Sequence, residues 1–239
     1  MQTSSPSVDS TSDRTEERSL RISKFRNWSA FEFLIAIVLF IVTSPIVEGL
    51  QYGNLIDAIL LTFVLASAVV AVANRRSVMI AAFLAVLAIA GRWVHHFRPD
   101  STTTVIYVSA GLLLLAFVFV QYLRYILTAR VVTFRVLCAA ISSYFMLGML
   151  WGMAYIIISN ITPRAFALSG EGGATVPLAG FDAFYFSFVT LSTVGYGDIV
   201  PVAKPARMLA AMEATTGTLY VAILIARLVS MHATAESAR

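Results

Sequence analysis

Long apolar segments separated by short polar stretches dominate the chain after residue 30. A helix needs roughly 20 mostly apolar residues to cross the hydrocarbon core of about 30 Å. Six segments approach this length, and the third reaches it only if it extends through Arg92 and Trp93 with their side chains at the interface. The pattern therefore predicts six transmembrane helices, at residues 31–46, 55–73, 78–90, 104–126, 136–158 and 208–229.

A seventh apolar run, residues 181–191, lies between the fifth and sixth predicted spans and is too short to cross. Its length is typical of a re-entrant helix. Asp182 is a candidate N-cap, which would give a helix over 183–192. The unpaired carbonyls and the macrodipole of its carboxyl end would then carry partial negative charge into the membrane, where they favour a cation.

The composition indicates that these apolar segments lie in a membrane. Hydrophobic residues make up 59% of the 239 residues and charged residues 13%, and the mean hydropathy is +0.82. We therefore predict an all-α membrane protein. The net charge of +4 comes from basic residues that flank apolar segments, which indicates lipid headgroups and no nucleic acid as neighbours. The single cysteine, Cys138, excludes an intrachain disulfide.

The residues after the short run have the chemistry to hold a dehydrated cation. Thr193-Val194-Gly195-Tyr196-Gly197 precede Asp198. A ring of backbone carbonyls can replace the water around K⁺ without placing full charges in its path. Aligning successive carbonyls requires alternating backbone conformations, some with positive φ, which Gly195 and Gly197 adopt at no steric cost.

The whole run 181–201 resembles the pore loop of the tetrameric potassium channels. The resemblance extends over the last two spans and implies an outer helix at 136–158 and an inner helix at 208–229. It implies that Thr193 to Gly197 form the selectivity filter, with K⁺ at Thr193, Val194, Gly195 and Tyr196, and that Asp198 caps the outer mouth. The implied pore-helix residues are Asp182, Tyr185, Phe186, Val189 and Ser192.

Two departures from the family pattern affect the bracing of the filter. Ser192 replaces the first of two threonines found in many relatives, so one hydroxyl keeps its place but loses a methyl. Tyr185 and Phe186 stand where voltage-gated relatives often have two tryptophans. We therefore expect weaker hydrogen bonding behind the filter, with selectivity retained by the intact Gly-Tyr-Gly sequence.

The last predicted span contains a candidate hinge, Gly217, which costs about 1 kcal/mol relative to alanine in a helix. Close packing against a neighbouring helix explains this glycine equally well. Helical spacing places one set of residues on a single face, where they would line a cavity below the filter: Ala214, Thr218, Val221, Ile225 and Val229.

Other ionisable residues in or near the spans have structural explanations that we favour. Glu213 must face protein or water, and a polar anchor behind the pore helix is preferred to a direct attraction for ions. Arg227 is expected to reach the inner interface as a snorkelling anchor. His95 and His96 are expected at the outer edge, with a proton or metal sensor as the less favoured alternative.

The first four spans occupy the place of a voltage sensor but lack its charges. Each charge moved through the field contributes about 2.3 kcal/mol per 100 mV, and residues 104–122 contain no arginine or lysine. We therefore predict weak or absent intrinsic voltage dependence. The chain is predicted to have three parts: a disordered cytoplasmic tail at 1–27, a voltage-sensor-like four-helix unit without gating charges at 28–130, and a pore domain at 131–239.

The distribution of lysine and arginine predicts the orientation. With both termini cytoplasmic, twelve of the seventeen basic residues lie on the inner side of the cell membrane. The basic and apolar residues from Arg18 to Trp28 form a candidate interfacial helix on anionic lipid; a solvated tail is the favoured alternative.

One loop per chain implies a homotetramer around a four-fold axis. The predicted function is passive conduction of K⁺, with K⁺ as the permeant ion and no cofactor. A non-conducting regulatory subunit and a potassium transporter subunit are the alternatives. An enzyme is not expected, because nucleophile-elbow, zinc-protease and phosphate-loop motifs are missing from the sequence.

Overall fold

The computed structural model describes residues 31–46, 50, 53–71, 75–97, 100–129, 131–169 and 174–237. The predicted tail at 1–27 and its lipid-binding segment lie outside these residues. Seven helices are found in the described part: α1 Phe31–Ile46, α2 Gly53–Ala71, α3 Arg75–Phe97, α4 Ser101–Thr128, α5 Phe134–Ile161, α6 Gly180–Leu191 and α7 Lys204–Ser237. The predicted fold class, an all-α membrane protein, is confirmed.

Four helices contain a stretch that is long and apolar enough to cross a membrane: Val78–His95, Ser101–Thr128, Phe134–Ile161 and Lys204–Ser230. The described part of α1 is shorter, and α2 has 19 residues. The count of six spans therefore stays a prediction. Helix α3 continues beyond Arg92 and Trp93 to Phe97, as expected, and α7 begins four residues before the predicted start.

Adjacent helices along the chain pack together. Helix α3 packs against α2 and α4, α4 packs against α5, and α6 packs against α5 and α7. A continuous buried core joins the first four helices to α5 and α6, including Phe33, Leu114, Tyr155 and Phe186. The short α6 is therefore held on two sides by long helices.

A small sheet, which the sequence analysis did not predict, lies beside α6. Strands β1 Phe166–Leu168, β2 Thr175–Val176 and β3 Ile199–Pro201 pair antiparallel in the order β2-β1-β3. Leu168 lies opposite Ile199, and Phe166 lies opposite Pro201. Strand β1 precedes α6 in the chain and β3 follows the glycine-containing loop, so the sheet joins the two ends of the segment that contains the predicted site.

Candidate functional site

Helix α6 begins earlier than predicted, and its N-cap is Ala179. Asp182 is therefore not the N-cap: it lies in the first turn of the helix. A carboxylate in that position still interacts favourably with the positive end of the helix dipole. Ala179 provides no side-chain hydrogen bond to the first turn.

Two glycines of α5 let α6 approach closely. A Cβ atom on Gly148 would lie 2.3 Å from Cε1 of Phe188, and one on Gly152 would lie 2.5 Å from Cδ1 of Phe184. The spacing Gly148-x-x-x-Gly152 is a known signal for close helix packing in membranes. The sequence analysis missed these two residues, although that signal was present.

A cluster of three aromatic rings packs the middle of α6 against α5 and β1. Phe186 is buried, and its ring centroid lies 4.9 Å from that of Tyr155 and 5.4 Å from that of Phe166. The Tyr155 and Phe166 rings are 5.7 Å apart in an edge-on arrangement, which is a favourable geometry for aromatic pairs. The cluster joins α5, β1 and α6 in one rigid unit.

The chain that leaves α6 is hydrogen-bonded back to it. The Val189 carbonyl accepts bonds from the amides of Val194, at 3.0 Å, and Gly195, at 3.3 Å. The Thr193 amide donates to Thr190, and both the amide and the hydroxyl of Ser192 donate to Phe188. The expectation of unpaired carbonyls at this end was therefore wrong for Phe188, Val189 and Thr190, because residues 192–195 donate hydrogen bonds to them.

Every second residue from Thr193 to Gly197 has a left-handed backbone. The φ angles are 59° at Thr193, 56° at Gly195 and 77° at Gly197. The two glycines adopt the conformation that the sequence pattern predicts. Thr193 was not predicted to do so, since a left-handed conformation costs a residue with a side chain about 1–2 kcal/mol. The hydrogen bond from its amide to Thr190 helps to hold it there.

Two side chains of the segment project away from the rest of the chain. Tyr196 is 72% exposed and Val194 is 54% exposed. Within the chain, Phe186 packs on Tyr155, and Phe188 packs on Phe145.

Hydrogen bonds hold Gly197 and Asp198, at the end of this segment, in place. The Tyr185 hydroxyl donates to the Asp198 carboxylate at 2.7 Å, so a tyrosine supplies a bond where weaker bracing was expected. This bond is the main reason why the pKa of Asp198 lies below its usual value. Ser169, which follows β1, donates its hydroxyl to the Gly197 carbonyl at 2.5 Å and its amide to the Asp198 carbonyl at 2.8 Å.

The buried Glu213 joins helices α5, α6 and α7. Glu213 of α7 is fully buried and accepts hydrogen bonds of 2.5 Å from the hydroxyls of Tyr155 in α5 and Ser187 in α6. The Ser187 hydroxyl also lies 2.6 Å from the Gly148 carbonyl. These contacts agree with the expected polar anchor behind the pore helix.

Gly217 lies where α7 contacts the end of α6. A Cβ atom at this position would lie 2.3 Å from the Leu191 carbonyl oxygen and 2.8 Å from its Cδ1. Close packing therefore explains this glycine, and bending at this position stays a prediction. Of the predicted cavity-lining residues, Ala214 is partly buried, whereas Thr218, Val221, Ile225 and Val229 are exposed in the single chain.

The inner end of α7 is attached to α4. The Arg227 guanidinium donates to the carbonyls of Leu127, at 2.9 Å, and Ala129, at 2.8 Å. The guanidinium therefore binds the carboxyl end of another helix, and its role as a snorkelling anchor at the inner interface stays a prediction. At the outer end of α3, Nδ1 of His95 lies 3.3 Å from the Thr104 hydroxyl; the His96 side chain lies outside the described residues.

Comparison with known proteins links this geometry to ion channels. Residues 143–233, which contain most of α5 and the whole predicted filter segment, Thr193 to Gly197, match the family described as "Ion channel". Two-pore potassium channel 4 from Arabidopsis thaliana is 51% identical over 49 residues, which are 20% of this chain and 17% of that protein. Inward rectifier potassium channel Kirbac3.1 from Paramagnetospirillum magnetotacticum is 31% identical over 84 residues, or 34% and 24% of the two chains.

The chain thus spans less than a quarter of the length of both curated relatives in these matches. No solved structure gives a significant match. The family match lies on the part of the chain that contains α6, the left-handed residues and α7 as far as residue 233. Residues 143–233 of this multi-pass membrane protein are therefore similar to an ion channel domain and, over shorter stretches, to two potassium channels.

Proposed function

We propose that the chain is one subunit of a K⁺-selective channel that conducts K⁺ passively through a homotetrameric pore. The observation that carries this proposal is the left-handed backbone at Thr193, Gly195 and Gly197, in an exposed segment at the end of α6. Alternating backbone conformations let successive carbonyls point in one direction, as a filter of carbonyl rings requires. Thr193 to Gly197 are then the ion-coordinating residues, and Asp198 lies at the outer mouth.

The exposure of Val194 and Tyr196 supports the proposed assembly. Each subunit leaves these side chains without cover on the side where a filter would need lateral support. In a four-fold arrangement, they can pack against aromatic residues of neighbouring subunits and hold the ring at a fixed width. The exposed face of α7 that contains Thr218, Val221 and Ile225 would surround the inner cavity.

The charge content of α4 supports weak or absent voltage dependence. Its 28 residues contain one basic residue, Arg124, which lies in its last two turns. One charge near the end of a helix cannot supply the several gating charges that steep activation requires. The basic residues around the spans favour a cell-membrane location with both termini cytoplasmic and the filter near the outer side.

Reconstitution into liposomes tests selectivity and voltage dependence together. With K⁺ on one side and Na⁺ on the other, we expect a reversal potential close to that of K⁺, block by Ba²⁺, and little change of open probability during a voltage ramp. Gly195→Ala, which strains a left-handed position, should abolish the K⁺ current. Gly111→Ala in α4 is the matched control, because its Cβ would meet only the flexible end of the Met153 side chain, with Cε at 3.4 Å and Sδ at 3.9 Å.

Three results would contradict parts of the proposal. Equal permeability to Na⁺ would reject K⁺ selectivity, and steep activation by voltage would reject the interpretation of α4. A well-folded tetramer without flux would favour the alternative of a non-conducting subunit.

A further inference from the structure

The Ser187 hydroxyl of α6 lies between two oxygen atoms of neighbouring helices. It is 2.5 Å from Oε1 of Glu213 in α7 and 2.6 Å from the carbonyl oxygen of Gly148 in α5. Ser187 and Glu213 are both fully buried. A hydroxyl has one proton to donate, whereas an ionised carboxylate and a backbone carbonyl can only accept. Ser187 therefore cannot donate fully to both oxygens at once.

A proton on Glu213 removes this competition. With a hydrogen on Oε1, Glu213 donates to the Ser187 hydroxyl, whose own proton is then available to the Gly148 carbonyl. Tyr155 continues to donate to Oε2, because that oxygen still accepts. The protonated acid thus gives each of the three contacts a hydrogen. The ionised acid gives a hydrogen to two of them, the bonds that Tyr155 and Ser187 donate to the carboxylate.

The surroundings of Glu213 favour uptake of this proton. The titratable groups that act on it are the phenols of Tyr155 and Tyr144 in α5, and α6 faces it with Ser187. Phenols and hydroxyls are uncharged near neutral pH, so none of these three groups brings a positive charge to an ionised Glu213. Burying a carboxylate costs free energy that hydrogen bonds to neutral groups offset only in part.

The contact between Glu213 and Ser187 lies one helical turn before the end of α6. Glu213 and Gly217 are one turn apart in α7, and they contact Ser187 and Leu191, which are one turn apart in α6. Residues at this spacing share one face of a helix. Helix α6 ends at Leu191. A change in the bonds of Ser187 therefore acts close to the residues that enter the proposed filter.

We propose that Glu213 is a proton-binding switch that sets how Ser187 is bonded. In the protonated form, Glu213 donates to Ser187 and Ser187 donates to Gly148, so the serine joins α6 to both α7 and α5. On ionisation, hydroxide takes the Oε1 proton and becomes water. Ser187 then donates to Glu213, and its bond to α5 is lost. This switch goes beyond the proposed function, since it does not require conduction.

Nuclear magnetic resonance of the full chain in liposomes tests the switch without measuring ion flux. Glycine labelled with carbon-13 at the carbonyl and methionine labelled with nitrogen-15 select the carbonyls of Gly148 and Gly152, because these glycines form the two Gly-Met pairs of the sequence. As pH rises, the Gly148 signal should shift when its bond from Ser187 is lost. The Gly152 signal should stay and serves as the internal control. A Gly148 signal that does not respond to pH would overturn the proposal.

Glu213→Gln holds the switch in one state. The glutamine amide donates to Ser187 as the protonated acid does, and its oxygen accepts from Tyr155. The Gly148 signal of this variant should therefore remain at its low-pH position throughout the titration. Glu32→Gln, at an exposed position of α1, is the matched control and should titrate like the unchanged chain. A Gly148 signal that still moves with pH in Glu213→Gln would show that another group drives the change, against the proposal.

Thermal unfolding in a neutral detergent provides a second measurement. A proton that binds the folded chain more tightly than the unfolded chain adds stability at low pH, and this stability is lost as pH rises. The melting temperature of the unchanged chain should fall over the pH range in which the Gly148 signal shifts, and that of Glu213→Gln should fall less. An equal fall in both chains would contradict the link between this proton and the bonds of Ser187.

Discussion

The Glu213 carboxylate and the Tyr155 hydroxyl meet at 2.5 Å in the protein interior, and this contact ties α7 to α5 behind the filter segment. Tyr155 also packs its ring against Phe186 of α6. The pair therefore combines a polar contact with the aromatic cluster, and both hold α6 in place.

Tyr155→Phe should destabilise the protein by about 1–3 kcal/mol, because it leaves the buried carboxylate with one donor fewer. Differential thermal unfolding in detergent would measure this loss. Tyr125→Phe is the matched control, since the ring of Tyr125 stacks on Arg135 and keeps that contact without the hydroxyl. Equal stability of the two variants would show that the contact with Glu213 contributes little.

Gly217→Ala should destabilise the contact between α7 and α6. Overpacking costs about 1–3 kcal/mol, of which the better helix propensity of alanine recovers about 1 kcal/mol. Gly111→Ala gains the same propensity without a severe clash and should be neutral or stabilising. Single-channel recordings test the alternative of a hinge: an unchanged open probability in Gly217→Ala would exclude that role.

Tyr185→Phe should change the response of the K⁺ current to external acid. The Tyr185 hydroxyl lowers the pKa of Asp198, so the contribution of this bond to stability is present above the ordinary carboxyl pKa and is lost as pH falls through the lowered one. Without the hydroxyl, Asp198 takes up its proton at higher pH. The acid-induced loss of current should therefore shift to higher pH; an unshifted titration would contradict this role.

Ser169→Ala should weaken the outer end of the filter segment by removing one of its two bonds to Ser169. A hydrogen bond of this kind contributes about 0.5–1.5 kcal/mol. We expect a K⁺ current that decays faster at a steady voltage, whereas Ser169→Thr keeps the hydroxyl and should resemble the unchanged chain. Identical decay in all three would indicate that the amide of Ser169 alone is sufficient.

Apolar length and glycine spacing were enough to predict the long helices, the short α6 and the left-handed Gly195 and Gly197. Properties that depend on neighbours in space were not predictable in this way. Strands of two or three residues have too little periodicity to recognise. The start of α6 was misplaced because Asp182 is a good N-cap by type, although the chain turns into the helix three residues earlier.

The same limit applies to particular contacts of the site. A β-branched Thr193 with positive φ contradicts local propensity, and its conformation depends on bonds to α6. The two partners of Glu213 lie 58 and 26 residues away in sequence, and those of Arg227 lie about 100 residues away. The sequence indicated that an intramembrane acid needs partners, but only the fold identifies them.

The bonds from Arg227 to Leu127 and Ala129 give the inner end of α7 a mechanical link to the first four helices. An outward swing of α7 must either break both bonds or carry the end of α4 with it. In the proposed channel, a stimulus that acts on α1 to α4 would reach the inner end of α7 by traction on this one guanidinium, and that stimulus need not be a change of voltage.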